Sequence, residues 1–218
     1  MTSEQLYYNF HLLLNKNASL KNVRIAKPNF VILYNREASN WLADYIDKHS
    51  STDDIHDIEG LLKVNKELEL NNSFNTYYEY NLPEDYFTFV DSSSRAIQNK
   101  CEGVIYNYLQ KPKEININLD YQLPSFKFEE SICNITENKL RVYVDNYKLI
   151  STYLSYYVTP EKIDLEGYTN IDGSFSTNIN TDLGDYYQWQ ILDRVVLEVF
   201  REFENTNQIN ISQTRINQ

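Results

Sequence analysis

LISTYLSYYV, from Leu149 to Val158, is the stretch of this chain that most constrains its fold. It alternates loosely and is rich in β-branched and aromatic residues, which predicts a half-buried β-strand. The segment TPEKIDLEGY follows and predicts a turn. After a polar loop, DLGDYYQWQILDRVVLEVFREFE (residues 182–204) places apolar residues at helical spacing and predicts a long amphipathic helix. Thr181 or Asp182 is expected to cap that helix.

Two amphipathic helices are predicted near the N-terminus. SEQLYYNFHLLLNKN (residues 3–17) repeats apolar residues at helical spacing, with Ser3 as its expected cap. The second helix begins near Pro28, a residue that the first helical turn tolerates. Trp41 on this helix would serve either the core or a subunit contact, and the core is the commoner place for it. The apolar face comprises Phe30, Leu33, Tyr34, Ala38, Trp41, Leu42, Tyr45 and Ile46.

Between these helical ends the chain consists of short alternating segments. The acidic stretch HSSTDDIHDIEG predicts a loop, and LLKVNKELEL (residues 61–70) then alternates with period two. Further strands are predicted in NNSFNTYYEYNLPEDYFTFVDSSSRAI, VIYNYL, EININL, SFKFEES and KLRVYVDN. The sequence therefore predicts an α+β fold, with N-terminal and C-terminal amphipathic helices around a β-rich, sandwich or barrel-like middle segment.

Three regions follow from this pattern. Residues 1–60 form the predicted N-terminal helical region, and residues 61–168 form the β-rich middle module. Residues 169–218 hold a loop, the C-terminal helix and a polar tail, TNQINISQTRINQ. The tail is polar enough to be a flexible end or a docking arm.

Charge and cysteine content narrow the range of possible functions and cellular settings. The 218 residues carry a net charge of −11, which opposes binding to nucleic acid because such binding relies on lysine and arginine at phosphates. Cys101 and Cys133 form no CxxC motif, so we expect reduced thiols in a cytosolic setting, with a disulfide between them left open. No apolar run approaches the ~20 residues that span a bilayer, which predicts a soluble protein.

Catalytic and cofactor motifs are weak. The five glycines make neither a phosphate-binding loop nor a GxSxG turn. The adjacent Glu84 and Asp85 favour a turn or a helix start over an acid–base pair. Cys101 has no neighbouring histidine in sequence, so only the fold could bring His11, His49 or His56 to it as a base. We predict no enzyme, no cofactor and no metal site. The best metal candidates would be Asp47, His49, Asp53, Asp54, His56, Asp57 and Glu59, although a solvated acidic loop explains them more simply.

A strand ending in YYVTPEKIDL (residues 156–165), a loop and a helix with ILDRVVLEVF (residues 191–200) together resemble a known family. They are similar to the head-to-tail connector or ring (portal adaptor) proteins of tailed bacteriophages, most of all those of crAss-like phages. The likeness also takes in KPNFVILYNREASNWLADYI (residues 27–46) and NLPEDYFTF (residues 81–89).

This resemblance implies a structural virion protein that forms a ring of roughly a dozen copies at the portal vertex. Its partners would be other copies of itself, the portal protein and neighbouring tail or ring proteins. Genomic DNA would pass through without specific binding, and an acidic inner wall would suit that passage, although a generally acidic surface explains the charge equally well. The protein would be made in the host cytoplasm and end at the head–tail junction, with no membrane partner.

In this interpretation the helices around Trp41 and Val196 pack within and between subunits. The expected interface residues are Phe30, Tyr34, Trp41, Tyr45, Tyr187, Ile191, Val195, Val196, Val199 and Phe200. Two other functions stay open. One is a carbohydrate- or protein-binding module that uses the tyrosines of YYEY, YLSYY and DYYQW, and the other is an Asp/His metal-dependent hydrolase that would need His56.

Overall fold

The computed structural model describes residues 1–17, 24–49, 58, 60–110, 124–170 and 173–216, with the backbone alone at residues 17, 49 and 203–216. The described residues form an α+β fold, which confirms the predicted class. The helices are α1 (Ser3–Asn17), α2 (Lys27–His49) and α3 (Asp185–Ile216). The strands are β1 (Leu62–Glu67), β2 (Leu70–Ser73), β3 (Tyr77–Asn81), β4 (Tyr86–Gln98), β5 (Cys101–Leu109), β6 (Glu130–Thr136), β7 (Lys139–Tyr143) and β8 (Lys148–Val158).

The chain divides into two compact units. The helical unit joins residues 1–57 to residues 160–218, and the β unit is the single segment 58–159. The prediction had instead kept residues 160–168 with the β-rich module and separated the two ends of the chain. Side chains of α2 explain the difference. Asn35 accepts a hydrogen bond from Ile163 N–H (2.9 Å) and donates one to the Ile163 carbonyl (3.0 Å), while Lys27 Nζ donates to the Glu166 carbonyl (2.6 Å).

The caps of α1 and α3 differ from the predicted ones. Thr2 caps α1 in a capping box, because its hydroxyl accepts Gln5 N–H (3.2 Å) and Gln5 Oε1 accepts Thr2 N–H (2.9 Å). The predicted cap Ser3 lies inside the helix. At α3, the Gly184 carbonyl accepts the first helical N–H groups, from Tyr187 and Gln188.

The two residues expected to cap α3 act upstream of it. The Thr181 hydroxyl accepts Leu183 N–H (3.2 Å), and Asp182 accepts Glu161 N–H (3.1 Å). Both therefore shape the loop that leads into the helix. At its other end α3 continues to Ile216, beyond the predicted end at Glu204, so the backbone of the expected polar tail is largely helical.

The core of the helical unit forms from one face of each helix. Leu6, Phe10 and Leu14 of α1 are fully buried, at the i, i+4, i+8 spacing that brings side chains onto one stripe. The Phe10 and Phe30 ring centroids lie 4.9 Å apart, so aromatic packing joins α1 to α2. The predicted apolar faces are thus the faces that the helices bury.

The β unit is one curled sheet rather than a two-sheet sandwich. Its strand order is β1-β8-β4-β5-β6-β7-β3-β2, and every pair is antiparallel except β5–β6. The two strands at the ends of this order, β1 and β2, are separated in sequence only by Leu68 and Glu69. Leu68 N–H donates to the Thr152 carbonyl of β8, and the Glu69 carbonyl accepts Asn81 N–H of β3. The segment from β1 to β2 therefore connects both edges of the sheet.

The strand predictions can be compared directly. LISTYLSYYV lies in β8, and VIYNYL and KLRVYVDN contribute to β5 and β7. LLKVNKELEL, predicted as one strand, is divided between β1 and β2. SFKFEES is mostly a turn that precedes β6, because Ser125 and Glu130 pair across it. EININL lies outside the described residues.

Candidate interaction surfaces

The residues expected at a subunit interface lie together in the helical unit, where they pack against each other. Eight of them are buried and two, Tyr45 and Phe200, are half-buried. Trp41 Nε1 donates to Gln190 Oε1 (2.9 Å), and its ring centroid lies 4.8 Å from that of Tyr187. Trp41 thus joins α2 to α3, whereas Phe30 packs against Phe10 of α1, so a neighbouring subunit would meet other residues first. The buried residues are Phe30, Tyr34, Trp41, Tyr187, Ile191, Val195, Val196 and Val199.

Three apolar side chains outside the buried face of α3 remain exposed. Tyr186, Trp189 and Leu197 are 70%, 42% and 58% exposed. Their spacing of i, i+3 and i+11 places them on one side of the helix. We call them the α3 stripe. Their apolar surface is available to a partner.

A second exposed apolar pair lies on α1. Tyr8 and Leu12, one turn apart, are 64% and 52% exposed and point away from the buried Leu6, Phe10 and Leu14 stripe. We call them the α1 stripe. The two stripes lie on different helices and differ in composition.

A polar groove runs between α2 and α3. Its volume is about 500 Å³. Two ion pairs join the helices here: Arg194 of α3 with Asp44 of α2 (2.8 Å), and Arg36 of α2 with Glu198 of α3 (3.2 Å). These ion pairs are partly exposed, and such pairs stabilise a protein by no more than about 1 kcal/mol. A smaller space of about 270 Å³ lies beside Trp41, Tyr45 and Tyr186. The charges of the groove are paired, so the groove offers little unmatched charge to a ligand.

The outer face of the β unit carries a row of three side chains from neighbouring strands. Ser93 of β4 lies directly opposite Tyr106 of β5 and Tyr153 of β8. The three side chains point away from the sheet interior, because Ser92, Ser94, Ile105 and Leu154 beside them are buried. We call Tyr106, Ser93 and Tyr153 the tyrosine slot.

Exposed polar and aromatic groups surround the tyrosine slot. Tyr106 and Tyr108 alternate on β5 and are each 55% exposed. Arg95 and Glu102, paired at 3.0 Å, lie on the same face and are both more than half exposed. Ser151 donates a hydrogen bond to Tyr153 OH (3.2 Å), which holds that ring in place. The tyrosine pattern of the sequence points to YLSYY, which contains Tyr153, but it does not single out Ser93 or Tyr106. Only the strand register brings these three residues together.

A second aromatic cluster, on β3 and β7, is filled by its own members. The rings of Phe74 and Tyr77 stack with centroids 4.5 Å apart, and the Arg141 guanidinium lies 5.5 Å from the Tyr77 centroid. Arg141 Nε donates to Glu79 (2.8 Å), and Lys139 lies 3.5 Å from the same carboxylate. The Tyr77 ring therefore packs between neighbours.

The pKa of Glu79 reflects this surrounding charge. Burial acts to raise it, but hydrogen bonds from Arg141 and Asn72 and the charges of Lys139 and Arg141 outweigh burial and lower the pKa. Glu79 is thus held as a carboxylate with cationic partners, which is a structural role.

The interior of the sheet contains a chain of polar side chains. Asn107 Nδ2 donates to Ser92 Oγ and to Ser94 Oγ, both at 2.9 Å, and Ser94 Oγ lies 2.8 Å from Thr152 Oγ1. All four side chains are buried, so these bonds tie β5, β4 and β8 together from the inside. Asn107 Oδ1 has no hydrogen-bond partner among the residues that the structure describes.

Of the residues considered for catalysis, those that the structure describes take structural positions. Glu84 and Asp85 lie in a turn closed by Tyr86 N–H and the Pro83 carbonyl (3.1 Å), as expected. Tyr156 OH donates to Asp85 Oδ1 (2.9 Å), and burial, this bond and the Asp85 charge all raise the pKa of Tyr156. Tyr156 is fully buried in β8, and its hydrogen bond to Asp85 tethers the turn to that strand.

The metal candidates fall largely outside the described residues. Asp53, Asp54, His56, Asp57 and Glu59 are not among them, and only the backbone of His49 is. Within the described part of the chain, no three His, Cys, Asp or Glu side chains are grouped to hold a metal ion.

The two cysteines are free thiols. Cys101 is exposed at the start of β5, whereas Cys133 is buried and its burial raises the pKa of its thiol to about 12. A thiol with so high a pKa is a poor nucleophile at neutral pH. His11 packs against the rings of Tyr7 and Phe10.

Comparison with known proteins identifies no family. No protein-family model matches the chain, and no curated protein is significantly similar to it. No helix in the described ranges has both the length and the apolar character required to cross a membrane.

Proposed function

We propose that this protein is a non-enzymatic structural protein of a tailed-phage virion that forms a ring at the portal vertex and connects the head to the tail. The observation that carries the proposal is the presence of two different exposed apolar surfaces in the helical unit. One is the α1 stripe of Tyr8 and Leu12, and the other is the α3 stripe of Tyr186, Trp189 and Leu197.

Ring formation needs this kind of asymmetry. In a head-to-tail contact, one surface of each subunit meets a different surface of the next, and the rotation closes the ring. The two stripes supply one surface each. Exposed aromatic residues such as Trp189 and Tyr8 are also the type of side chain that contributes most to protein interfaces.

The charge of the chain supports passage of DNA through such a ring. A net charge of −11 repels phosphates, so an acidic inner wall would not retain DNA. The partners are then other copies of this chain, the portal protein and neighbouring tail or ring proteins. The place of action is the head–tail junction.

The test uses two charge-introducing variants, Leu12→Asp on the α1 stripe and Leu197→Asp on the α3 stripe. Wild-type protein is expected to form rings by light scattering and negative-stain imaging, alone or on purified portal protein. Each variant alone keeps one intact stripe and cannot pair with itself, so it stays monomeric. A mixture of the two stops at a heterodimer, because each supplies the surface that the other lacks.

The matched control is Ile32→Asp, which introduces the same charge at an apolar residue of α2 that is 63% exposed and belongs to neither stripe. It should leave the rings intact. Circular dichroism and thermal unfolding check that all variants are folded. Wild-type protein that stays monomeric at high concentration and with portal protein would contradict the proposal, as would rings formed by both single variants.

A further inference from the structure

We propose that the tyrosine slot on the outer face of the β unit binds a neutral saccharide. The site is independent of ring formation, because it lies on strands β4, β5 and β8, whereas both proposed ring surfaces lie on helices. Its walls are Tyr106 and Tyr153, and its floor is Ser93.

The dimensions of the slot come from the sheet itself. Neighbouring strands lie about 4.8 Å apart, so the backbones of β5 and β8 flank β4 at a separation of about 10 Å. The small Ser93 side chain between them leaves room above the middle strand. A flat ring can enter this space and pack against aromatic side chains that the backbone ladders already hold in position, which limits the entropy lost on binding.

The chemistry of the walls suits a sugar ring. The apolar C–H face of a pyranose packs on a tyrosine ring, and Tyr106 presents more than half of its surface to solvent, whereas Tyr153 is half-buried. Hydroxyl groups at the ring edge need donors and acceptors, which Ser93, Ser151 and the Tyr153 phenol provide. The Ser151 hydrogen bond to Tyr153 fixes one of these groups (3.2 Å).

The charges around the slot favour a neutral ligand. Asp91 and Glu67 are exposed carboxylates, opposite Ser155 and Tyr153 of β8, respectively. Arg95, a cation on the same face, is paired with Glu102 at 3.0 Å. Together with the net charge of −11, this rim repels phosphates and acidic sugars. Nucleic acid, the other ligand that aromatic side chains commonly stack on, is therefore disfavoured.

The experiment applies the full-length protein to a printed array of neutral and acidic oligosaccharides and to immobilised oligo(dT), followed by calorimetry with the best neutral glycan. Wild-type protein is expected to bind one or more neutral glycans and to bind their acidic counterparts less tightly. Tyr106→Ala should weaken binding about tenfold, the effect of removing one aromatic contact. Ser93→Leu fills the floor and should weaken binding similarly.

Two further variants make the result specific. Tyr106→Trp keeps an aromatic wall and should retain binding, with a change in tryptophan fluorescence because both native tryptophans lie in the helical unit. Phe175→Ala removes an aromatic ring that is 84% exposed and lies outside the slot and both stripes, so it should leave glycan binding unchanged. Thermal unfolding confirms that each variant is folded. The proposal is overturned if no glycan is retained, if Tyr106→Ala binds as wild type does, or if oligo(dT) binds through Tyr106 in place of glycans.

Discussion

The buried hydroxyl of Tyr34 lowers the stability that the rest of this side chain provides by packing in the core. Its side chain is 1% exposed in the helical core, and its hydroxyl has no hydrogen-bond partner within the described part of the chain. Burial also raises the pKa of this phenol, so it stays neutral. A buried hydroxyl without a partner loses its hydrogen bonds to water and gains none in return.

We therefore expect Tyr34→Phe to stabilise the protein by about 1 kcal/mol, because it removes the hydroxyl and keeps the ring. Urea unfolding followed by far-ultraviolet circular dichroism measures the change. Tyr8→Phe is the matched control, since Tyr8 is 64% exposed and its hydroxyl meets water in either state. A clear loss of stability in Tyr34→Phe would show that the hydroxyl has a partner in solution.

Glu79 makes the stability of the β unit depend on pH. Its pKa is lower in the folded protein than the ordinary value of about 4.3, so the carboxylate stabilises the fold above that pH. The contribution is lost as pH falls through the lower, folded-state pKa. Glu79→Gln should accordingly lower the melting temperature at pH 7, and the difference from wild type should shrink towards zero below about pH 4.

The control for Glu79 is Glu102→Gln. Glu102 is also paired with an arginine, but both partners are more than half exposed, and such pairs contribute little. Melting temperatures of the three proteins measured from pH 7 to pH 3 separate the two cases. Equal and pH-independent shifts in both variants would refute a stabilising role for the Glu79 carboxylate.

At the level of elements, the sequence predicts which face of a helix is apolar but not what covers it. Val195, Val196 and Val199 are spaced as a helical stripe, and that spacing is the same whether the covering surface belongs to this chain or to a neighbour. The structure shows that α2 and α3 of one chain cover each other. Because Trp189 and Leu197 are exposed, they are the residues to test for assembly, although the apolar periodicity pointed to the valines instead.

For the strands, the sequence predicts where a strand lies but not which residues of another strand it pairs with. Alternation in LISTYLSYYV and KLRVYVDN predicts β8 and β7 because period two is a local property. The tyrosine slot needs the register of three strands, which places Ser93 between residues 106 and 153. The short turn between Gln98 and Cys101 sets the β4–β5 register locally, but the β4–β8 pair joins distant segments and contains bulges, so no local pattern encodes the place of Tyr153. The helix caps were predicted wrongly because Thr2, Ser3, Thr181 and Asp182 all have side chains suited to capping, and residue type alone does not decide which of them caps the helix.

For the whole molecule, the order of the units along the chain predicts how they fold. The β unit is the uninterrupted segment 58–159, whereas the helical unit needs both residues 1–57 and residues 160–218. The first and last strands of the β unit are direct neighbours, with Leu62 opposite Tyr157. Because the two ends of this segment lie close together, it can be inserted into the chain of another unit without disrupting the fold of either unit.

We therefore expect a fragment of residues 58–159 to fold alone, because about 100 residues with a buried core are enough for an independent domain. It should show a β-type circular dichroism spectrum and one cooperative unfolding transition. Leu140→Ala, at a fully buried site of β7, should destabilise it by about 3 kcal/mol. Residues 1–57 alone should remain unfolded, because they lack the α3 face that covers Trp41. If 58–159 shows no cooperative transition, the β unit depends on the helices for its stability, and the division into two folding units is wrong.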